Sequence, residues 1–279
     1  MIISASRRTD IPAFYTDWLI NRLNAGYCLV KNPFNPTQIK RVSLLPEDVD
    51  GIVLWTKNAA PLLPKLSELG NYSYYFQYSI TPYHPDIERR LADKKETIIP
   101  AFLQLAANIG ARRMVWRYDP IIITPRYSHN YHVSAFARLC ELLAGSTEKC
   151  VISFAIAYKS VAKNLMEIGH AELDVENKIR LADAMLYIAK DHGITLCACC
   201  ELTGLYELGV QPVSCVDAAL FGVIAPRDRN QREGCNCAVS VDIGAYNSCM
   251  NGCRYCYANH SEAKVRAHFA KHNTSSELL

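Results

Sequence analysis

The chain has 279 residues, half of them hydrophobic and a fifth charged, with a formal net charge of +3. That is enough chain for a substantial core, and too little net charge to argue for a nucleic-acid partner. No apolar run reaches the length of a membrane span, and the first residues lack the layout of a signal peptide, so a cytoplasmic protein with no membrane partner is expected.

Short β-branched runs alternate with amphipathic stretches along the chain. Strands are expected at Ile2–Ala5, Ile52–Trp55, Tyr74–Ile80, Met114–Trp116, Cys150–Phe154 and Ile194–Cys197. Helices are expected at Pro12–Ala25, Ala59–Leu69, Lys94–Ile109, His132–Ala144 and Asp174–His192, each followed by a glycine that reads as a C-cap. Near the end, Ala238–Ile243 alternates like a strand and Ser261–His272 has a helical pattern. Repeated βα units predict an α/β fold, a partial or closed TIM-like (β/α) barrel. Residues 1–200 would form the barrel units, and 201–279 a Cys-rich segment packed on the same barrel.

Polar residues follow the expected strands. Arg7, Arg8 and Asp10 come after the first, Lys57 after the second, Arg117 and Asp119 after the fourth, and Glu201 after the sixth. Loops at the C-terminal ends of barrel strands build the active site, so these positions are expected to meet at one mouth. The four cations outnumber the two carboxylates of Asp10 and Asp119, which favours an anionic ligand. The same residues also suit rim ion pairs, Arg7 or Arg8 with Asp10 and Arg117 with Asp119. A third reading makes Asp10 and Asp119 the acid and base of a hydrolase.

Cysteine usage is the anomaly. Of twelve thiols, all but Cys28, Cys140 and Cys150 lie between Cys197 and Cys256. Those three sit in apolar stretches and read as core residues. Crowding of this kind in a reducing compartment points to metal or cluster ligation rather than disulfides. Cys249, Cys253 and Cys256 are spaced C-x3-C-x2-C, and three thiolates leave one iron of a four-iron cube without a protein ligand. Asn251 and Gly252 lie where that loop must turn sharply. With a fourth ligand from Cys235, Cys237 or His260, the same loop suits zinc. No HExxH motif or glycine-rich phosphate loop is present.

The spacing, with Tyr255 just before the third thiol, is similar to the signature of radical S-adenosylmethionine enzymes. The run from Tyr246 to Ala258 resembles the spore photoproduct lyase branch in particular. Ser4–Pro12, Lys31–Pro36, Leu54–Asn58, Trp116–Pro120 and Asp242–Tyr246 resemble segments of an uncharacterised bacterial family of unknown function, whose members end in the same cysteine cluster. The resemblance implies a [4Fe-4S] cluster on Cys249, Cys253 and Cys256 beside Tyr255, with S-adenosylmethionine as cofactor. It also implies an electron donor such as flavodoxin or ferredoxin and a small-molecule or nucleotide-like substrate. Cys199, Cys215, Cys235 and Cys237 would make a second, closed site, either another [4Fe-4S] cluster or a structural Zn, with Cys197 and Cys200 as spectators. Radical S-adenosylmethionine enzymes usually carry the three-Cys loop after their first strand, whereas here it lies near the end. Their Gly-Gly-Glu segment is absent from this chain. A circular permutation, with the last βα unit in the place of the first, reconciles the position. The rival from another class is a non-catalytic barrel that binds a ligand and is braced by zinc.

Overall fold

The computed structural model describes residues 1–35, 37–200 and 204–279, so Pro36 and Glu201 lie outside the described residues. The described strands are β1 (Ile2–Ala5), β2 (Tyr27–Lys31), β3 (Ile39–Ser43), β4 (Gly51–Thr56), β5 (Tyr74–Ser79), β6 (Met114–Ile121), β7 (Lys149–Phe154), β8 (Thr195–Ala198), β9 (Gln211–Pro212) and β10 (Val241–Asp242). The α-helices are α1 (Ile11–Phe14), α2 (Thr16–Ala25), α3 (Ile99–Ile109), α4 (His129–Leu143), α5 (Ala162–Glu167), α6 (Val175–Asp191) and α7 (Glu262–Lys271). None of the described helices is long and apolar enough to cross a membrane.

Eight strands form one sheet in the order β10-β1-β4-β5-β6-β7-β8-β9, and each neighbouring pair is parallel. The fold is therefore α/β with a parallel central sheet. Strands β2 and β3 pair antiparallel as a separate hairpin, which the sequence pattern did not reveal. The last strand lies beside the first, with Ile3 opposite Val241 and Ser4 opposite Asp242. The three-Cys loop, which follows β10, therefore opens at the same end of the sheet as the loop after β1.

Alternation along the strands sorts the core into two faces. Leu54, Phe76, Trp116 and Ile152 point to the larger cluster, where Phe102 of α3, Phe136 of α4 and Met185 of α6 cover them. Val53, Tyr75, Val115, Val151 and Cys197 point the other way, and pack against Cys199, Cys215, Cys235 and Cys237. Helices thus cover one face and the Cys-rich segment the other, which is why the strands read as continuous apolar runs. Cys28, Cys140 and Cys150 are buried, as expected.

Some elements differ from the pattern. The expected helix at Ala59–Leu69 is a 3₁₀ segment, Leu63–Leu69, because Pro61 and Pro64 remove amide donors that an α-helix needs. Pro12–Ala25 breaks at Tyr15 into α1 and α2, and the Tyr15 hydroxyl donates to the Ser248 carbonyl at 2.6 Å. Ala238–Ile243 shortens to β10, since the amides of Ala238 and Val239 turn away to the carbonyls of Val216 and Pro226. Strand β6 runs on to Ile121, so Arg117 and Asp119 lie within the strand and not after it.

Gly51 begins β4 where the ring of Phe221, on the Cys-rich face, crosses the backbone. A Cβ there would stand 2.5 Å from Phe221 Cγ. Gly51→Ala should lower stability by about 1–3 kcal/mol, the usual range for overpacking, as read by chemical denaturation. An unchanged midpoint would show that the ring moves aside freely.

Candidate metal and cofactor centre

One cavity of about 1320 Å³ is lined by residues at the C-terminal ends of the strands, from Ser6–Asp10 after β1 to Gly244–Tyr246 after β10. Arg7, Arg8, Asp10, Lys57, Arg117 and Asp119 all line it, and so do Tyr255 and both cysteine groups. Sheet topology brings to one mouth residues that the sequence spreads over 250 positions.

The three-Cys loop is held from several sides. Arg90 reaches it twice, its amide donating to the Asn251 carbonyl and its Nε to the Met250 carbonyl, each at 3.0 Å. Gly252 has φ +66°, and a Cβ there would lie 3.1 Å from the Arg90 guanidinium, so conformation and space both call for glycine. Asn259 Nδ2 donates to the Cys249 carbonyl at 2.7 Å, and Ser261 caps the N-terminus of α7. Cys249 is buried, while Cys253 and Cys256 are partly exposed. Burial pushes all three thiols up, Cys253 to about 12. Amides of Ala258 and Asn259 pull the other way on Cys256, as does Lys57 on Cys253 and Cys256.

Glu88 organises the cations near that loop. It is 2% exposed and accepts from Lys57 Nζ at 2.9 Å, Thr81 Oγ1 at 2.8 Å, and from Lys94 Nζ and the Tyr255 hydroxyl. Burial opposes its ionisation, but Lys57, Lys94 and the hydrogen bonds outweigh it and hold the carboxyl down at about 2. Lys57 in turn lies 5.5 Å from the centroid of the Tyr255 ring. The aromatic before the third thiol is therefore locked, and a positive charge faces the sulfurs.

The second group sits across the cavity. The sulfurs of Cys199, Cys235 and Cys237 all lie within 4.8 Å of one another and could bind a metal. Cys215 packs in the same buried cluster. Cys200, read as a spectator, has its Sγ 3.5 Å from that of Cys199, whereas Cys197 lies on the buried sheet face.

The cations divide between the two groups. Arg117 Nη1 donates to Cys215 Sγ at 3.1 Å and to Gln77 Oε1 at 3.2 Å, and the same guanidinium pairs with Asp119. Arg7 and Arg117 flank the Trp55 ring at 5.3 and 5.5 Å from its centroid. Arg7 Nη2 is buried without a hydrogen bond among the described residues. Arg8 stands over Tyr246 at 5.3 Å and 3.9 Å from Asp242. Of the rim pairs weighed from sequence, Arg117–Asp119 forms. Asp10 meets neither Arg7 nor Arg8, and instead accepts from Thr56 Oγ1 at 2.7 Å, Lys57 N at 2.8 Å, Ala13 N at 3.1 Å and Asn251 Nδ2 at 3.1 Å.

Asp10 therefore ties α1, the end of β4 and the three-Cys loop together. Asp10→Ala should cost at least about 2 kcal/mol, because it strands several buried donors. It should also loosen metal retention by Cys249, Cys253 and Cys256. Parallel thermal melts and metal counts check this, and a stable variant with full metal would show that the loop is held by other contacts.

Sequence reasoning missed Glu88, Asp242 and Gln77. Glu88 sits in a mixed-charge stretch, Asp86–Lys95, that reads as solvated surface. Asp242 clamps the loop after β1, accepting from Ser6 Oγ at 2.6 Å and Arg7 N at 2.8 Å. Its signal was its place in the strand before the cysteine loop.

Fold and site define an α/β protein whose parallel sheet ends in a cysteine-rich cavity suited to a metal. Over residues 2–258 the chain matches the family model described as Domain of unknown function (DUF1848), and it belongs to that family. A comparison with curated proteins finds no match.

Proposed function

We propose that this protein is an iron–sulfur enzyme of the radical S-adenosylmethionine type, acting on a small anionic substrate. The observation that carries the reading is the placement of Cys249, Cys253 and Cys256 on a cavity at the strand ends, on a loop between β10 and α7. Because β10 lies beside β1, the loop has the position that a permuted first βα unit requires. The sheet, with helices on one face and the Cys-rich segment on the other, is read as a partial barrel.

The donor set fits the group. Three thiolates on one loop suit a [4Fe-4S] cluster with an open iron, and His260, the nearby histidine, is stacked on Tyr246 with ring centroids 5.8 Å apart. When bound, the cluster and S-adenosylmethionine supply reductive cleavage of the sulfonium and a carbon-centred oxidant for hydrogen abstraction, with flavodoxin or ferredoxin as the class of electron donor. The chain's own residues do the rest. Lys57, held by Glu88, places positive charge against Cys253 and Cys256. Arg7 and Arg8 offer guanidinium donors to a carboxylate or phosphate. Trp55, Tyr246 and Tyr257 line the cavity and offer aromatic surface to a bound ligand. Asp119 is paired with Arg117 and Ser153, and Asp10 is fully hydrogen-bonded, so neither supports the hydrolytic reading.

Adding S-adenosylmethionine to the reconstituted, reduced protein should change the EPR spectrum of the cluster, since the cofactor would occupy the open iron. A spectrum unchanged at saturating S-adenosylmethionine would defeat the proposal, as would a colourless zinc protein after anaerobic purification.

A further inference from the structure

The second cysteine group has a geometry of its own. Cys199 follows β8, Cys215 follows β9, and Cys235 and Cys237 lie in the turn before β10. All four are buried, none more than 6% exposed. The mutual distances discriminate between metal centres. A tetrahedral ion with metal–sulfur bonds of about 2.3 Å holds its thiolates about 3.8 Å apart. A cubane puts each thiolate on a different iron and so spreads them farther. Three sulfurs within 4.8 Å of one another, with Cys215 packed in the same buried cluster, match the single ion.

The surroundings match it too. Amides of Val216 and Cys237 donate to the sulfurs of Cys237 and Cys235, each at 3.5 Å. Donors of this kind form the outer layer around thiolate-bound metals. A divalent ion with four thiolates leaves two negative charges uncompensated. A guanidinium group stands beside them: Arg117 donates to Cys215 Sγ. Arg117 is among the cations the sequence assigned to a substrate.

We infer that Cys199, Cys215, Cys235 and Cys237 hold one Zn²⁺ in a closed tetrahedral site, with Arg117 partly offsetting its negative charge. The site has no open position and does no chemistry. It cross-links the end of β8, the segment after β9 and the approach to β10, and so fixes the chain that carries the three-Cys loop. Arg117 is thereby a positioning residue for the metal site. This inference stands apart from the cluster reading, because it needs neither iron nor S-adenosylmethionine.

The test uses the full chain with Cys249→Ser, Cys253→Ser and Cys256→Ser combined, which removes the other group. Purified anaerobically from medium containing both iron and zinc, it should keep about one zinc per chain and no iron. Adding Cys235→Ser and Cys237→Ser should release that zinc. Zinc-edge X-ray absorption on the wild type covers the case where variants fail to fold, and should show four sulfur neighbours at about 2.3 Å. Iron with sulfide in the triple variant, folded triple variant without metal, or nitrogen and oxygen neighbours at the zinc edge would each overturn the inference.

Discussion

Cys253→Ala should reduce 5′-deoxyadenosine production to background and remove the EPR signal of the reduced cluster, without unfolding the chain. Even outer-layer partners of metal ligands typically change affinity or activity by 10–100-fold, so loss of one of three ligands should exceed about 100-fold. The main chain at Cys253 bridges Glu88 through backbone groups, which an alanine retains. Its side chain is only partly buried, so truncation leaves little cavity. Iron analysis, EPR and product quantification on the same preparation check the result. Near-normal product from the variant would remove Cys253 from the ligand set.

Glu88→Gln should cause the largest loss of stability of any single change near the site. It removes the shared partner of two lysines and leaves their charges buried, a situation that typically costs about 3–5 kcal/mol. The pH dependence has a definite sign. The folded carboxyl is held down at about 2 against an ordinary value of 4.5. Its contribution is present in full above the ordinary value and is lost as pH falls towards 2, about 3 kcal/mol in all. Urea denaturation from pH 7 down to pH 3 should show an acid loss that is steeper in the wild type than in Glu88→Gln. Parallel curves for the two proteins would show that the ion pairs contribute nothing net. Because Glu88 also holds Tyr255 and Lys57, the variant should shift the reduction potential of any cluster on the three-Cys loop.

Much of the sheet was legible because parallel strands buried on both faces read as apolar runs of strand length. Ile2–Ala5 matched to the residue, and the strands at Gly51, Tyr74, Lys149 and Thr195 matched within a residue or two at each end. The pattern failed where tertiary contacts overrode it. Arg117 and Asp119 read as loop residues after the fourth strand, yet β6 carries both, since Cys215, Gln77 and Ser153 supply polar partners that only the fold brings near. The β2–β3 hairpin was missed because its polar outer positions hide the alternation, and because the 274–279 segment helps to hold it, as in the Leu29 amide bonding to the Glu277 carbonyl at 2.8 Å.

At the site, residue types were legible and partnerships were not. The cysteines announced themselves by spacing, but nothing in the sequence tells whether an arginine faces a substrate or a thiolate. Glu88 was hidden for the same reason: its meaning comes from Lys57, Lys94 and Tyr255, which arrive from three other places in the chain.

The central claim is one-electron cleavage of S-adenosylmethionine at Cys249, Cys253 and Cys256. Wild-type protein, reconstituted with iron and sulfide under anaerobic conditions and reduced with dithionite, is incubated with S-adenosylmethionine, and 5′-deoxyadenosine is quantified by mass spectrometry. Product that depends on both iron and reductant is predicted, even without substrate, at a slow uncoupled rate. No product from protein shown to hold reduced cluster would contradict radical chemistry at this centre.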